Sequence, residues 1–516
     1  MSIFHRTSFI TETLTRRASL QPVITGDFSP SLVRRASLET VSLPLAPFEH
    51  FMLADDCPER PMSFFIQLKF QGRFDRSQLN AALKKALTLH PLLNSRIQGS
   101  ATDATARIHW IESTSPPPEI DWNDAEVPFH FAKGRWMDLR SETGLRLWLR
   151  ESENGTTLLL QIHHSCCDGL GASSFINTVL MAYHLLHTSA SLSALEEMFD
   201  PRLLQERDVS CSSGRRIIKT AWHALFRLGR YFKHQPVPLA TPRALPAEYS
   251  GDDQFPQFQT FTFNEADTEQ IRVTAKRLGV SLNVLLLRDL FLILDDWNRR
   301  HSADHCSQTI RVCVPVNVRR STDHRMSAAN VVSLSFLDRD ATQFADPVRL
   351  LGHLHAQTEE TKRLRTSLAF IPALKLLGMF PGRLHARMQR THCQASAALS
   401  NLGVLLARSP LLGRDRRAVS GGVILESMEP FMPLRHLTHA AFAVSNYGRK
   451  LSLTISHDPR WIDDMDGREL LSSFVRQLNT SLAPLNGAAM ESFAARHSSE
   501  SVPVTILSEP QTVGAS

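Results

Sequence analysis

Across residues 145–164 the side chains alternate on both sides of one tight turn. Leu145, Leu147 and Leu149 alternate with Arg146, Trp148 and Arg150, and Asn154-Gly155 supplies two residues that tolerate positive φ. On the return strand Leu158, Leu160, Ile162 and His164 share one face, while Thr157, Leu159, Gln161 and His163 share the other. His164 thus continues an apolar row, where an imidazole would meet a substrate in a dry pocket. Past Asp168-Gly169 the period changes to that of a helix over residues 172–186.

The same reading predicts a strand at 63–70, from the alternation of Phe64, Ile66, Leu68 and Phe70. An amphipathic helix follows at 76–90, with Leu79, Leu83, Ala86 and Leu87 on one stripe and Pro91 ending it. At 214–234, Arg216, Lys219, His223, Arg227, Arg230 and His234 oppose Ile218, Trp222, Leu225 and Phe232, which predicts a basic amphipathic helix. Pro236, Pro238, Pro242 and Pro246 then punctuate a linker. The second half reads as a strand at 259–263, helices at 265–278 and 281–297, strands at 310–319 and 330–337, and a helix at 346–365. A turn-like element falls at Ser400-Asn401-Leu402-Gly403, and a hairpin closes around Tyr447-Gly448-Arg449. The expected organisation is a disordered basic tail at 1–42, an N-terminal subdomain at 43–235, a crossover linker at 236–258, a C-terminal subdomain at 259–485 and a flexible tail at 486–516.

Composition narrows the class. With 516 residues, 42% apolar and 21% charged, the chain reads as an ordinary globular protein of more than one domain. It has no run of 18 or more apolar residues, which excludes an evident membrane span, and no secretory leader pattern. Seven cysteines without C-x-x-C spacing fit a reducing compartment, so a cytoplasmic location is expected, with peripheral membrane contact left open. The net charge of +6 is unevenly placed: no Asp or Glu occurs between Asp208 and Glu248, or between Glu360 and Asp415. Such basic segments attract phosphates, anionic lipid or acidic protein. No zinc-finger spacing or aromatic-basic motif supports a nucleic-acid partner.

The loop at the end of the motif strand, His163-His164-Ser165-Cys166-Cys167-Asp168-Gly169, fits the pattern His-His-x-x-x-Asp-Gly. Three readings of these residues compete with catalysis by an imidazole: a packed pair of core histidines, a metal site, and a cysteine nucleophile at Cys166 or Cys167 beside His164. The pattern resembles the signature of the chloramphenicol-acetyltransferase-like superfamily, which includes condensation domains, polyketide-associated acyltransferases, wax ester synthases and alcohol acetyltransferases. Further signposts resemble that family in its own order. They are Leu89-His90-Pro91-Leu92, Val280-Ser281-Leu282-Asn283, Pro315-Val316-Asn317-Val318-Arg319, Ser400-Asn401-Leu402-Gly403, and Asp458 to Asp463 ahead of Leu470-Leu471 and Phe474. The resemblance spans roughly residues 43–483, and the plant-type Asp-Phe-Gly-Trp-Gly motif is absent. No adenylation or carrier module accompanies these motifs, so a free-standing enzyme is expected.

The resemblance implies an α/β fold of mixed sheets, two related subdomains joined in a V, and a tunnel at their junction. It implies acyl transfer from a thioester, with acyl-CoA or an acyl-carrier phosphopantetheine as donor and a small alcohol or amine as acceptor. No tightly bound cofactor and no metal are expected, and a carrier protein stays open as a partner. It assigns the general base to His164, with His163 shaping the loop and Asp168 pairing with Arg319 to aim it. Gly169 would leave room at the start of a helix whose amides face the oxyanion, and Asn401 would line the tunnel. An amide-forming, carrier-dependent condensation enzyme and a catalytically idle binding relative are the alternatives.

Overall fold

The computed structural model describes residues 43–99, 108–114, 116–131, 135–208, 235–242, 257–302, 308–364, 370–378, 384 and 392–482. The alternation around the Asn154-Gly155 turn does build a hairpin. Strands Leu145–Glu151 and Gly155–His163 pair antiparallel, with the Ser152 N–H donating to the Gly155 carbonyl at 2.9 Å across the turn. Strand Ser63–Gln71 lies on the other side of the motif strand, and Ile120–Asp124 lies parallel to Leu145–Glu151 at the edge.

The other edge of this sheet comes from far along the chain. Strand Val423–Phe431, preceded by the short Val419–Ser420, pairs antiparallel with Ser63–Gln71 and completes a six-stranded sheet. Sheet membership therefore does not follow the expected division of the chain. A piece of the stretch read as the C-terminal subdomain, 259–485, is built into the first lobe.

Helices Arg76–Leu89 and Gly169–His187 pack together over one face of this sheet. The first begins on Asp75, whose carboxylate accepts the Gln78 N–H at 2.8 Å, and stops at Pro91, which opens a short 3-10 turn. Between sheet and helices Ile66, Leu68, Leu83, Leu160, Ile162 and Phe175 are buried in a single cluster.

The second lobe has its own six-stranded sheet, with strands in the order Val332–Asp340, Thr309–Asn317, Ala397–Val404, Ala440–Tyr447, Lys450–His457 and Gln257–Thr262. Ala397–Val404 runs parallel to both its neighbours, and the other pairings are antiparallel. The closing hairpin turns through Gly448 and Arg449, both at positive φ (55° and 63°), as a two-residue primed turn requires. Helices Glu265–Arg277, Leu282–His301, Pro347–Leu364 and Asp464–Leu482 belong to this lobe, and Leu286, Phe291, Val312, Phe442 and Phe474 are buried in its core.

One expectation changes, and others fall on residues that the structure does not describe. The turn-like Ser400–Gly403 element is part of strand Ala397–Val404, broken by a register shift between Asn401 and Val404. The basic helix expected at 214–234 lies outside the described residues, as do the tails at 1–42 and 486–516 and most of the 236–258 linker. Among the described residues, no helix is long and apolar enough to cross a membrane.

Candidate active site at the lobe junction

The motif strand ends at His163, and the loop His164–Asp168 carries the chain to the helix that starts at Gly169. Loop and strand deliver the two histidines to different places. His163 is fully buried, with its Nδ1 accepting the Ser165 N–H at 3.1 Å and its Nε2 3.5 Å from the Asp56 carboxylate. Asp56 also accepts the Met62 N–H at 2.7 Å and the Trp136 indole N–H at 2.6 Å. His163 thus fastens the loop from behind and does not line the cavity.

His164 faces the opposite way, into a cavity between the lobes. Its N–H donates to the Met62 carbonyl at 2.8 Å, its ring meets Phe64 edge-on at 5.1 Å, and its carbonyl accepts the Asn330 side-chain N–H. With Nδ1 buried and without a hydrogen-bond partner, Nε2 is the nitrogen left to meet a substrate. Burial pushes this imidazole below its ordinary value of 6.5. Its own carbonyl, the Asp168 charge and Asn330 pull the other way without restoring it. The ring is therefore neutral near pH 7 and able to accept a proton.

Asp168 collects hydrogen bonds from both lobes. Its Oδ1 accepts the Gly171 N–H at 2.9 Å and so caps the motif helix, while Oδ2 accepts the Val331 N–H at 2.9 Å. Arg319 adds a two-pronged ion pair, Nη1 to Oδ2 at 2.8 Å and Nη2 to Oδ1 at 3.0 Å, and its Nη2 also reaches the Ala329 carbonyl at 2.9 Å. Burial alone would raise this carboxyl. The Arg319 charge and the four hydrogen bonds outweigh it and hold the group below the usual carboxylate range.

The segment 327–331 is a hub that the sequence did not reveal. Besides the contacts of Ala329, Asn330 and Val331, the Ser327 hydroxyl donates to the Leu89 carbonyl at 2.6 Å and the Ala328 N–H donates to His90 Nδ1 at 2.8 Å. His90 Nε2 lies 2.9 Å from the Thr178 hydroxyl, so this histidine links the end of one helix, the motif helix and the hub. Complete burial pushes it down to about 3, and it is neutral.

The cavity itself holds about 130 Å³ of free space. That is small beside the ~300–1,000 Å³ of ordinary small-molecule pockets. Its wall is largely apolar: Met52, Met62 and Phe64 from the first lobe, Val332 and Leu334 from the second, and Phe431 and Met432 from the crossing strand and the turn beyond it. Gly169 and Asn401 both line it. A Cβ at Gly169 would lie 2.7 Å from Leu402 Cδ2, so glycine leaves room for that side chain against the helix start. Asn401 Oδ1 accepts the Gly403 N–H at 2.9 Å and braces the strand bulge, with Gly403 at φ +65°. Of the amides at the helix start, Gly171 N–H is taken by Asp168 and Ala172 N–H by the Asp168 carbonyl.

The competing readings of the motif fare poorly. The two imidazoles point apart, so they cannot grip one ion. Cys166 and Cys167 are fully buried, and burial raises both thiols far above the ordinary range, opposite to what a nucleophile needs.

Comparison with known proteins agrees with this architecture. The family model described as the condensation domain matches residues 61–308. An uncharacterized protein of Mycobacterium tuberculosis is 25% identical over 287 residues, which cover 54% of this chain and 62% of that protein, so the chain spans less than two thirds of its length. The solved structure of polyketide synthase associated protein 5 from Mycobacterium tuberculosis superposes with a TM-score of 0.55 at 14% identity, covering 86% of this chain and 99% of that one. The starter condensation domain of rhizomide synthetase, solved as a mutant in complex with C8-CoA, gives a TM-score of 0.59 at 14% identity, covering 86% and 95%. The chain is thus similar to condensation domains over residues 61–308, just under half of its length, and it shares with the solved structures a fold of two lobes in a V with a cavity at their seam.

Proposed function

We propose that this protein transfers an acyl group from a thioester, CoA in the first instance, to an alcohol or amine, with His164 as general base. The observation that carries the reading is the neutral His164 ring in an apolar cavity where the lobes meet, on a loop clamped by Asp168 and Arg319. The chemistry needs a nucleophile relieved of its proton at the moment it attacks the thioester carbonyl. His164 Nε2 takes that proton from the acceptor hydroxyl or amine. The new C–O or C–N bond forms, the tetrahedral intermediate expels thiolate, and the imidazolium returns the proton to sulfur. The apolar wall keeps water from competing for the acyl group. Asp168 moves no proton in this scheme, because its oxygens are committed to four donors. It keeps the loop in place, as His163 does from the other side.

The test is thiol release from a panel of acyl-CoAs, with and without long-chain alcohols and amines. Acceptor-dependent release by the wild type, lost in His164→Ala, supports the reading. Equal release by both proteins would leave a binding relative in its place. A second reading, condensation from a carrier-borne donor, draws on the match to the condensation-domain family. It requires turnover with an acylated carrier protein and none with free acyl-CoA.

A further inference from the structure

The strand that lines the substrate cavity also leads to a second hollow. Leu402 borders the first cavity and Val404 the second, about 7 Å apart along the strand. The second hollow, of about 220 Å³, lies near the carboxyl ends of the parallel strands Ala397–Val404 and Ala440–Tyr447. Its charged lining residues are Arg272, Arg416 and Arg449, and no carboxylate is among them. Asn446, which also lines it, is only 6% exposed, and its Nδ2 is buried without a hydrogen-bond partner.

The surroundings direct these cations without neutralising them. Arg416 Nη2 donates to the Ala407 carbonyl at 3.2 Å and Arg449 Nη2 to the Arg414 carbonyl at 3.0 Å. Glu269 lies 3.7 Å from Arg272 and Glu265 lies 3.9 Å from Arg449, both on exposed side chains. Such solvated pairs hold little energy and give way to a better anion. The nearby Asp415 is engaged by Arg417, and Arg416 has no carboxylate partner among the described residues. Three arginines and one buried amide donor thus line a space with no carboxylate among its lining residues.

We propose that this hollow binds a phosphate ester and that, on the acyl-transfer reading above, the phosphate belongs to the thioester donor. Guanidinium forks match phosphate oxygens in pairs, and the buried Asn446 side-chain N–H supplies a further donor from the lining. Two donors carry this chemistry, CoA and the phosphopantetheine of a carrier protein.

Calorimetric titration of the full chain with CoA, phosphopantetheine and pantetheine, in the absence of acceptor, tests the assignment. Saturable binding of the phosphorylated ligands that weakens with added salt is expected, with pantetheine bound at least about tenfold more weakly. CoA well ahead of phosphopantetheine assigns the site to the nucleotide phosphates. Equal affinities assign it to the phosphate of the arm, which a carrier protein shares. The informative variants are Arg416→Gly and Arg449→Gly. Both positions have φ of 63°, where glycine is favoured, so each variant removes a cation without straining the fold. The double variant is expected to lose at least about tenfold in CoA affinity and nothing for pantetheine. CoA bound equally well by the double variant, or no saturable binding of either phosphorylated ligand to the wild type, overturns the proposal. No turnover enters the measurement, so a failed acyl-transfer assay leaves this result readable.

Discussion

Arg319 reaches across the lobe boundary and takes both carboxylate oxygens of Asp168, at 2.8 and 3.0 Å. The same two oxygens cap the motif helix at Gly171 and receive the Val331 amide. One carboxylate therefore fixes the helix start, the loop that carries His164 and the second-lobe hub at once. Removing one partner of such a buried pair strands the other.

Arg319→Ala should therefore destabilise by about 3–5 kcal/mol, read from urea unfolding, and abolish acyl transfer. Because the fold depresses the Asp168 pKa, its contribution is fully present above the unfolded value near 3.8 and is lost as pH falls through the lower folded value. Asp168→Asn should remove that loss on the acid side.

His164→Ala should reduce turnover by about 10²–10⁴-fold with a small change in melting temperature, since the ring faces a cavity. Burial lowers the His164 pKa, so the acid limb of the wild-type kcat/KM profile should fall below pH 6.5. A limb at or above 6.5 would show that some other group is the base.

His90 makes a separate prediction about stability. It is neutral in the fold, with a pKa of about 3 against 6.5 when unfolded. Its contribution is complete above pH 6.5 and declines as pH falls toward 3, by up to about 1.4 kcal/mol per pH unit. His90→Gln keeps an acceptor for the Ala328 N–H but cannot titrate, so urea midpoints at pH 7 and pH 5 should lie closer together than in the wild type.

Gly169→Ala places a methyl group 2.7 Å from Leu402 Cδ2. The contact is with the tip of a side chain that can turn aside, so the expected cost is about 0.5–1.5 kcal/mol, together with a modest fall in turnover because both residues line the cavity. Leu402→Ala in the same chain should recover part of both, measured as a double-mutant cycle.

The sequence disclosed the hairpin and the motif helix because each leaves a local mark, alternation and an Asn-Gly turn, whereas the Asp168–Arg319 pairing was implied only by the family resemblance of Pro315 to Arg319. Strand Val423–Phe431 leaves a blurred one. A register shift between Leu425 and Ser427 moves the buried positions from Val423 and Leu425 to Met428, so the period of two breaks midway. The same thing happens between Asn401 and Val404, where a bulged strand reads as a turn. Asn330 and its neighbours were invisible for another reason. Their role lies in backbone groups and one carboxamide that meet residues more than a hundred positions away, and no periodicity records such contacts.

The borrowed edge of the first sheet has a consequence for how the chain is made. Gln67 and Glu429 sit side by side although 362 positions separate them. Until the later hairpin has left the ribosome, the nine-residue strand Ser63–Gln71 exposes a bare row of amides and carbonyls, an invitation to pair with a neighbouring nascent chain. Folding of the first lobe must therefore wait for most of the polypeptide, and a truncation in the proline-rich stretch would yield a sticky fragment rather than half an enzyme.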